Sequence, residues 1–215
     1  MISSQATACM LLQNKESIFG NKNILDKDKS APSRALFCYN NYMRIKKDKL
    51  TTKNLALKPL ENADKNALIS LLEDPLIKKT YMCPVFNSEE DKNKCFLRLK
   101  DISNGNKKIL YGIYLNKLLI GFINEVVSYN DTIELGYLIT PKEWNKGYAT
   151  EALSVTISEA FRMGYKVVEC GHFEENPASG RVMQKCGMQK ISKIETIEYN
   201  GAKHLCIYYN ITNKN

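Results

Sequence analysis

The chain has 215 residues, 44% hydrophobic and 25% charged, with a formal net charge of +8 at pH 7. It is long enough to bury one core, and its lysines are scattered rather than gathered into a stripe with interleaved aromatics, which argues against direct nucleic-acid binding. The 7 cysteines form no C-x-x-C pair and only 2 histidines accompany them, so we predict reduced thiols in a cytoplasm, without a metal site or a disulfide framework.

The first 42 residues differ from the rest of the chain. They carry no helical or strand periodicity beyond a short apolar run at residues 8–12, which is far below the length that spans a membrane. We therefore expect a flexible N-terminal extension over residues 1–50, one folded domain over residues 51–215, and no membrane association.

Periodic apolar residues predict two helices between an opening strand and a later pair of strands. Asp74–Pro75 ends the first helix, because the residue before a proline is disfavoured in a helix. Ser88, with Asp91 three residues later, is typical of the start of the second. In chain order we predict a strand at residues 54–60, helices at 62–73 and from 88 to about 105, and strands at 108–114 and 118–127.

The next strand, residues 132–140, carries a carboxylate in an otherwise apolar run. Alternation with period two places Glu134 and Gly136 on the same face of this strand. The acid either pairs with one of the chain's 31 lysines and arginines or faces a cleft as a general base, with Gly136 leaving room for a ligand. Both interpretations stay open at this point.

A strand, a turn and a helix meet in residues 136–150. The strand breaks at Pro141, and an amphipathic helix begins near Ala149. The first turn of such a helix has backbone N–H groups without an intrahelical acceptor and carries the positive end of the helix dipole, so it can bind a pyrophosphate. Gly147 and Ala149 are the small residues that let phosphate and strand approach. We therefore predict an anion site at this helix start.

Three local signals define the elements beyond this junction. Gly164 stands where a helix C-cap belongs, Asn176 followed by Pro177 is typical of a helix start, and Asn200–Gly201 is typical of a two-residue turn between strands. A β-rich run after Gly164 should lie parallel to the strand before the helix. The predicted elements are a helix ending at Gly164, a strand at residues 165–173, a helix from Asn176 to Gly187, and strands at residues 188–199 and 202–211.

Two motifs stand at a characteristic spacing in the second half of the chain. Their residues are Gly136–Tyr137, Pro141 and Trp144–Ala152, then Asn176–Ser179 and Val182–Met188. With them, residues 52–212 resemble the GNAT acetyltransferase superfamily, and within it the ribosomal-protein alanine N-acetyltransferases. Trp144 stands where the pyrophosphate motif usually has Gln or Arg, and Met183 where many members have a tyrosine acid. The resemblance implies an α+β fold, a mixed, mostly antiparallel, twisted sheet of about seven strands flanked by about four helices.

The resemblance also implies a co-substrate, acetyl-coenzyme A, and no metal. The pantetheine arm would hydrogen-bond like an additional strand along residues 138–140 and be held by Asn176, while the pyrophosphate would bind the backbone N–H groups of about residues 145–150. Glu134 corresponds to a strand carboxylate often proposed as the base, and Ser179 to a hydroxyl near the thiol, which would act as the acid. The implied coenzyme-binding residues are Leu138, Ile139, Thr140, Trp144, Asn145, Lys146, Gly147, Tyr148, Ala149, Thr150, Asn176 and Ser179.

The acceptor is expected to be a primary amine, and pKa values rank the candidates. An α-amine has a reference pKa near 7.8 and lysine one near 10.4, so deprotonating lysine at neutral pH costs about 3.5 kcal/mol more. We therefore expect a protein N-terminal α-amine, for example of a ribosomal protein. A small-molecule amine (antibiotic, polyamine or amino acid) and a non-catalytic coenzyme A-binding module are the alternatives. Tyr81, Phe86 and Tyr199 are candidate acceptor-binding aromatics, or ordinary packing residues, and the protein would be a monomer or a homodimer.

Overall fold

An eight-stranded sheet runs through residues 44–214, the part of the chain that the computed structural model describes. The strands are β1 (Leu50–Thr51), β2 (Leu55–Lys58), β3 (Leu110–Leu115), β4 (Leu118–Tyr129), β5 (Thr132–Ile139), β6 (Val167–Phe173), β7 (Gln189–Tyr199) and β8 (Ala202–Thr212). They neighbour one another in the order β1-β2-β3-β4-β5-β6-β8-β7. Only β5 and β6 pair in parallel; the other pairs are antiparallel.

Five α-helices of the described residues flank this sheet. They are α1 (Lys65–Glu73), α2 (Pro75–Lys78), α3 (Glu89–Asn104), α4 (Tyr148–Arg162) and α5 (Pro177–Lys185), with 3-10 turns at Asn62–Asp64 and Pro141–Glu143. The predicted fold class is confirmed, with one strand and one helix more than expected. The additional elements, β1 and α2, are too short to show a periodicity. Pro75 does end α1, but Asp74 accepts a hydrogen bond from the Leu76 amide and thereby starts α2.

The two faces of the sheet are covered by different helices. On one face Ile133 and Leu135 of β5 share a buried cluster with Leu153 of α4. On the other face Leu138 of β5 packs with Leu72 of α1 and, in the same cluster, with residues of α3. The alternation predicted for β5 is therefore confirmed, and the strand is buried from both sides.

The local signals read from the sequence have the predicted geometry. Gly164 follows α4 in the left-handed region, with φ of +90°. The Asn176 side chain accepts a hydrogen bond from the Ser179 amide and caps α5, with Pro177 in the first helical position. Asn200 and Gly201 have φ of +51° and +76° between β7 and β8, as a type I′ turn requires.

The sheet splits between β5 and β6, and this split positions the site. The two strands pair only from Thr132 to Glu134. Leu135–Ile139, the rest of β5, pairs with β4 on one side and diverges from β6 on the other. A cleft opens where the strands separate, with the starts of α4 and α5 on its walls.

Most of the predicted N-terminal extension lies outside the described residues, and residues 44–50 contact the domain. Lys46 is 3% exposed and its ammonium donates to the Ser103 carbonyl at 2.8 Å. The Lys47 amide donates to the Glu159 carboxylate at 2.6 Å. The boundary at residue 50 stays a prediction. None of the helices within residues 44–214 is long and apolar enough to cross a membrane.

Candidate active site

The cleft beside β5, with the starts of α4 and α5 on its walls, has a volume of about 250 Å³. All the coenzyme-binding residues predicted from the sequence line it except Thr140 and Lys146. The Thr140 amide donates to the Ile120 carbonyl in the sheet, and the Lys146 ammonium lies 2.9 Å from the Glu143 carboxylate. Arg181 and Lys185 of α5, which the sequence reasoning did not single out, add two cationic side chains to the walls.

The start of α4 has the geometry of an anion site. Its N-cap residue, Gly147, adopts φ of +88° and makes no capping side-chain hydrogen bond. The first-turn N–H groups of Tyr148–Thr150 have no intrahelical acceptor, and the helix dipole adds positive potential where they point. A Cβ atom on Gly147 would have nothing within 4 Å, so the glycine serves the left-handed backbone rather than a tight contact. These features, with Arg181 and Lys185, fit a pyrophosphate.

Trp144 joins the turn before α4 to the end of β5. Its indole Nε1 donates to the Ile139 carbonyl at 2.6 Å, and the residue is 37% exposed. The tryptophan therefore holds the turn against the strand, a role that differs from direct phosphate contact. The Ile139 carbonyl, which belongs to the predicted pantetheine edge, therefore already accepts one hydrogen bond from within the protein.

A smaller cavity of about 40 Å³ adjoins the cleft. Thr80, Tyr81, Tyr137 and Ser179 line both spaces, and Glu134 and Gly136 line the small one alone. The cavity can hold a small group, since about 10–15 Å³ of such volume is enough for one water molecule. The structure thus brings the two predicted catalytic residues, Glu134 and Ser179, to one cavity at the inner end of the cleft.

Glu134 is 1% exposed, and the ammonium of Lys193 lies 4.0 Å from its carboxylate. The same ammonium lies 3.1 Å from Glu169 and 4.0 Å from Glu195. Burial opposes the charge of Lys193, but Glu134 and Glu169 more than offset it and raise the pKa of Lys193. The structure agrees with both interpretations of Glu134, because the residue lies near a lysine and also lines a cavity.

Ser179 is held by two neighbours. The Asn176 side-chain amide donates to the Ser179 hydroxyl oxygen at 2.9 Å, which leaves the Ser179 O–H to donate elsewhere. The Tyr137 hydroxyl donates to the Ser179 carbonyl at 3.1 Å. Burial raises the pKa of Tyr137 well above 10, so this hydroxyl remains a donor. The start of α5 is thereby fixed against β5.

The three predicted acceptor-binding aromatics occupy different surroundings. Tyr81 lines the cleft and the cavity, and its hydroxyl donates to Asn124 Oδ1 at 2.9 Å. Phe86 packs at the edge of the cluster beneath α1 and α3, and the Tyr199 hydroxyl accepts from the Cys83 amide at 3.1 Å. Neither Phe86 nor Tyr199 lines the two spaces, so their contact with an acceptor stays a prediction.

Two further polar residues at the site were not found from sequence. Asn124, 6% exposed, holds the Tyr81 hydroxyl, and His172, 6% exposed, lines the small cavity. Each sits in a strand, and no local motif surrounds it. Within residues 44–214, no three histidine, cysteine, aspartate or glutamate side chains are arranged to hold a metal ion.

Comparison with known proteins agrees with this geometry. Residues 54–189 match the family described as "Acetyltransferase (GNAT) domain". The chain is 26% identical over 168 residues to "Uncharacterized N-acetyltransferase YoaA" of Bacillus subtilis (strain 168), covering 75% of this chain and 95% of the relative. A solved GNAT-family acetyltransferase from Bacillus anthracis is 25% identical, with a TM-score of 0.65 over 76% of this chain and 98% of the other.

Two other solved structures share the fold at lower identity. The microcin C7 self-immunity acetyltransferase MccE, in complex with acetyl-CoA and AMP, has a TM-score of 0.66 at 18% identity, covering 75% of this chain and 94% of the other. RimL, a ribosomal L7/L12 alpha-N-protein acetyltransferase, has a TM-score of 0.63 at 15% identity, covering 76% and 93%. On the family match over residues 54–189, the chain belongs to the GNAT family of acetyltransferases.

Proposed function

We propose that this protein transfers the acetyl group of acetyl-coenzyme A to the α-amine of a protein N-terminus. The observation that carries the proposal is the junction of the two spaces, where the cleft ends at a cavity that Glu134 and Ser179 both line. A donor in the cleft and an amine in the cavity would meet beside Ser179. Proximity of this kind converts a bimolecular reaction into an effectively unimolecular one.

The coenzyme would lie along the cleft with its diphosphate at the start of α4. The N–H groups of Tyr148–Thr150, with Arg181 and Lys185, would bind the phosphate oxygens. The end of β5 and the residue after it, Leu138–Thr140, on the side that diverges from β6, would pair with the pantetheine amides. When bound, acetyl-coenzyme A supplies the activated acetyl group as a thioester.

The remaining groups at the site would supply the general base, the general acid and the donor to the thioester carbonyl. The Glu134 carboxylate would take a proton from the incoming ammonium, directly or through a water. The Ser179 O–H would donate to the leaving sulfur, because the Asn176 amide already occupies an acceptor site on the Ser179 oxygen. A backbone N–H near Leu138 or Ile139 would polarise the thioester carbonyl.

An α-amine is the favoured acceptor for energetic reasons. Its deprotonation at neutral pH costs about 3.5 kcal/mol less than that of a lysine, and the structural similarity to a ribosomal-protein α-N-acetyltransferase is consistent with it. The similarity to MccE keeps a small-molecule amine as the second candidate. The thiol pattern of the sequence supports a cytoplasmic location, and a monomer or a homodimer remains the expectation.

Two measurements test the proposal. Calorimetry should detect binding of coenzyme A, and release of free thiol from acetyl-coenzyme A should be followed with a panel of peptides, ribosomal proteins and small amines. Glu134→Gln should lower turnover by about 100-fold and leave coenzyme A affinity unchanged, whereas Glu198→Gln, at an exposed position of β7, should change neither. Coenzyme A binding without any turnover would indicate a non-catalytic module, and acetylation of small amines alone would reject a protein N-terminus.

A further inference from the structure

His172 lines the small cavity, and a hydrogen bond defines its tautomer. Its Nδ1 lies 2.7 Å from the Phe173 carbonyl oxygen. Because a carbonyl only accepts hydrogen bonds, Nδ1 carries the hydrogen, and Nε2 is left with a lone pair. The residue is 6% exposed and lines the cavity that Glu134 and Ser179 also line. The imidazole therefore lines the proposed reaction centre, with Nε2 as the ring nitrogen that is free to accept a hydrogen bond when the ring is neutral.

Within residues 44–214, Nε2 of His172 has no hydrogen-bond partner. The ring packs against Gly180, where a Cβ atom would lie 2.7 Å from Nε2. The absence of a side chain at Gly180 therefore makes room for the imidazole on α5, and Ser179, the preceding residue, lines the same cavity as His172. A buried polar atom without a partner costs free energy, and a ligand group with an N–H in the cavity would satisfy it.

The groups around His172 together disfavour the charged form of its ring. Burial lowers its pKa below 6.5, the hydrogen bond to the Phe173 carbonyl acts the other way, and the charge of Lys190 on β7 lowers it further. The Tyr209 ring of β8 lies 5.7 Å away, and α5 contributes Gly180 and Ser179. From β5, Glu134 and Tyr137 face the same cavity.

Glu134, the other basic group of the cavity, differs from His172 because a lysine lies beside it. Lys193 lies 4.0 Å from the Glu134 carboxylate and competes with an incoming ammonium for it. An ammonium that becomes an amide must lose two protons, one before attack and one as the C–N bond forms. A second proton acceptor in the same cavity as Ser179, the proposed donor to the leaving sulfur, would take the second proton.

We propose that His172 Nε2 is this second acceptor and returns the proton to sulfur through Ser179. The inference rests on the proposed acetyl transfer. The neutral amine attacks the thioester carbon, the C–N bond forms, and the nitrogen's proton passes to His172 Nε2. The C–S bond then breaks, the sulfur takes the Ser179 hydroxyl proton, and the imidazolium restores that proton to Ser179. The products are the N-acetyl amide and the free thiol, and His172 is neutral again.

Two substitutions at His172 separate proton transfer from positioning. His172→Asn keeps a donor for the Phe173 carbonyl but removes Nε2, and His172→Gln restores an acceptor near the Nε2 position that cannot take a proton. With an alanine-starting peptide, or with the amine that the panel shows to be acetylated, both should lower kcat by about 100-fold at unchanged coenzyme A affinity. His204→Asn, at the other histidine, should leave kcat unchanged.

The pH profile and NMR supply independent readouts. Wild-type kcat should fall as the pH drops below the His172 pKa. His172→Asn should lose this limb, whereas a limb caused by protonation of Glu134 should be present in both proteins. Nitrogen-15 NMR of the wild type should show His172 neutral at pH 7 with its hydrogen on Nδ1. Wild-type kcat in His172→Asn, full recovery in His172→Gln, or a charged ring at pH 7 would each overturn the inference alone. A wild type that acetylates no amine would overturn the proposed function as well.

Discussion

Two substitutions of Asn176 should change the stability of α5 and the rate of acetyl transfer independently. Its Oδ1 accepts from the Ser179 amide at 3.3 Å, and its Nδ2 donates to the Ser179 hydroxyl oxygen at 2.9 Å. Asn176→Asp keeps the capping oxygen and places a carboxylate at a helix N-terminus, which is favourable. The second carboxylate oxygen, however, replaces the donor, so the Ser179 O–H turns toward it and away from the leaving sulfur.

The magnitudes follow from these two contacts. A hydrogen bond to a charged group contributes about 2 kcal/mol, so losing the one from Ser179 to the leaving thiolate should lower kcat about 30-fold. The unfolding free energy of Asn176→Asp should stay within about 0.5 kcal/mol of wild type, because the cap is retained. Asn176→Ala should instead lose about 1 kcal/mol of stability, a Tm decrease of about 2–4 °C for a domain of this size.

The assay is kcat at saturating acetyl-coenzyme A, with urea unfolding for stability. A double-mutant cycle with Ser179→Ala supplies the control, since Asn176→Asp should have no further effect once the hydroxyl is gone. Wild-type kcat in Asn176→Asp, or an equal loss in the Ser179→Ala background, would refute the assignment of Ser179 as the acid that Asn176 orients.

Two further predictions concern the scaffold. Gly121→Ala would place a Cβ 2.1 Å from the Leu138 carbonyl oxygen, so β4 and β5 must separate at a cost of about 1–3 kcal/mol in unfolding free energy. Gly105→Ala is the control: its Cβ would have neighbours at 3.4 Å or more, and the unfolding free energy measured in urea should change by less than about 0.5 kcal/mol. Burial opposes ionisation of Glu159, but hydrogen bonds from Arg162 and a backbone amide more than offset it and lower its pKa below 4.5. The contribution of Glu159 to stability is therefore present above its unfolded pKa and is lost as the pH falls through its lower folded pKa. The unfolding free energy of Glu159→Gln should therefore fall less steeply than that of the wild type below pH 4.5. An unchanged slope would contradict this assignment.

The elements bordering the site could be predicted from the sequence because their signals are local. The capping Asn176, the C-terminal Gly164 and the Asn200–Gly201 turn each depend on hydrogen bonds or backbone angles within a few residues. The alternation that placed Glu134 on the face opposite Ile133 depends only on the geometry of a strand. The motif residues near Gly147 likewise belong to one short stretch of chain.

The sequence by itself therefore determined the fold class, the order of the main elements and the start of α4 as a candidate anion site. Tertiary structure alone decided which residues come together around the cavity. Lys193 beside Glu134, Tyr137 beneath Ser179 and His172 against Gly180 come from different strands and helices. These contacts depend on how far β5 and β6 pair before they diverge. Local periodicity could not predict them, because it carries no information on the register of strands that are far apart in the sequence.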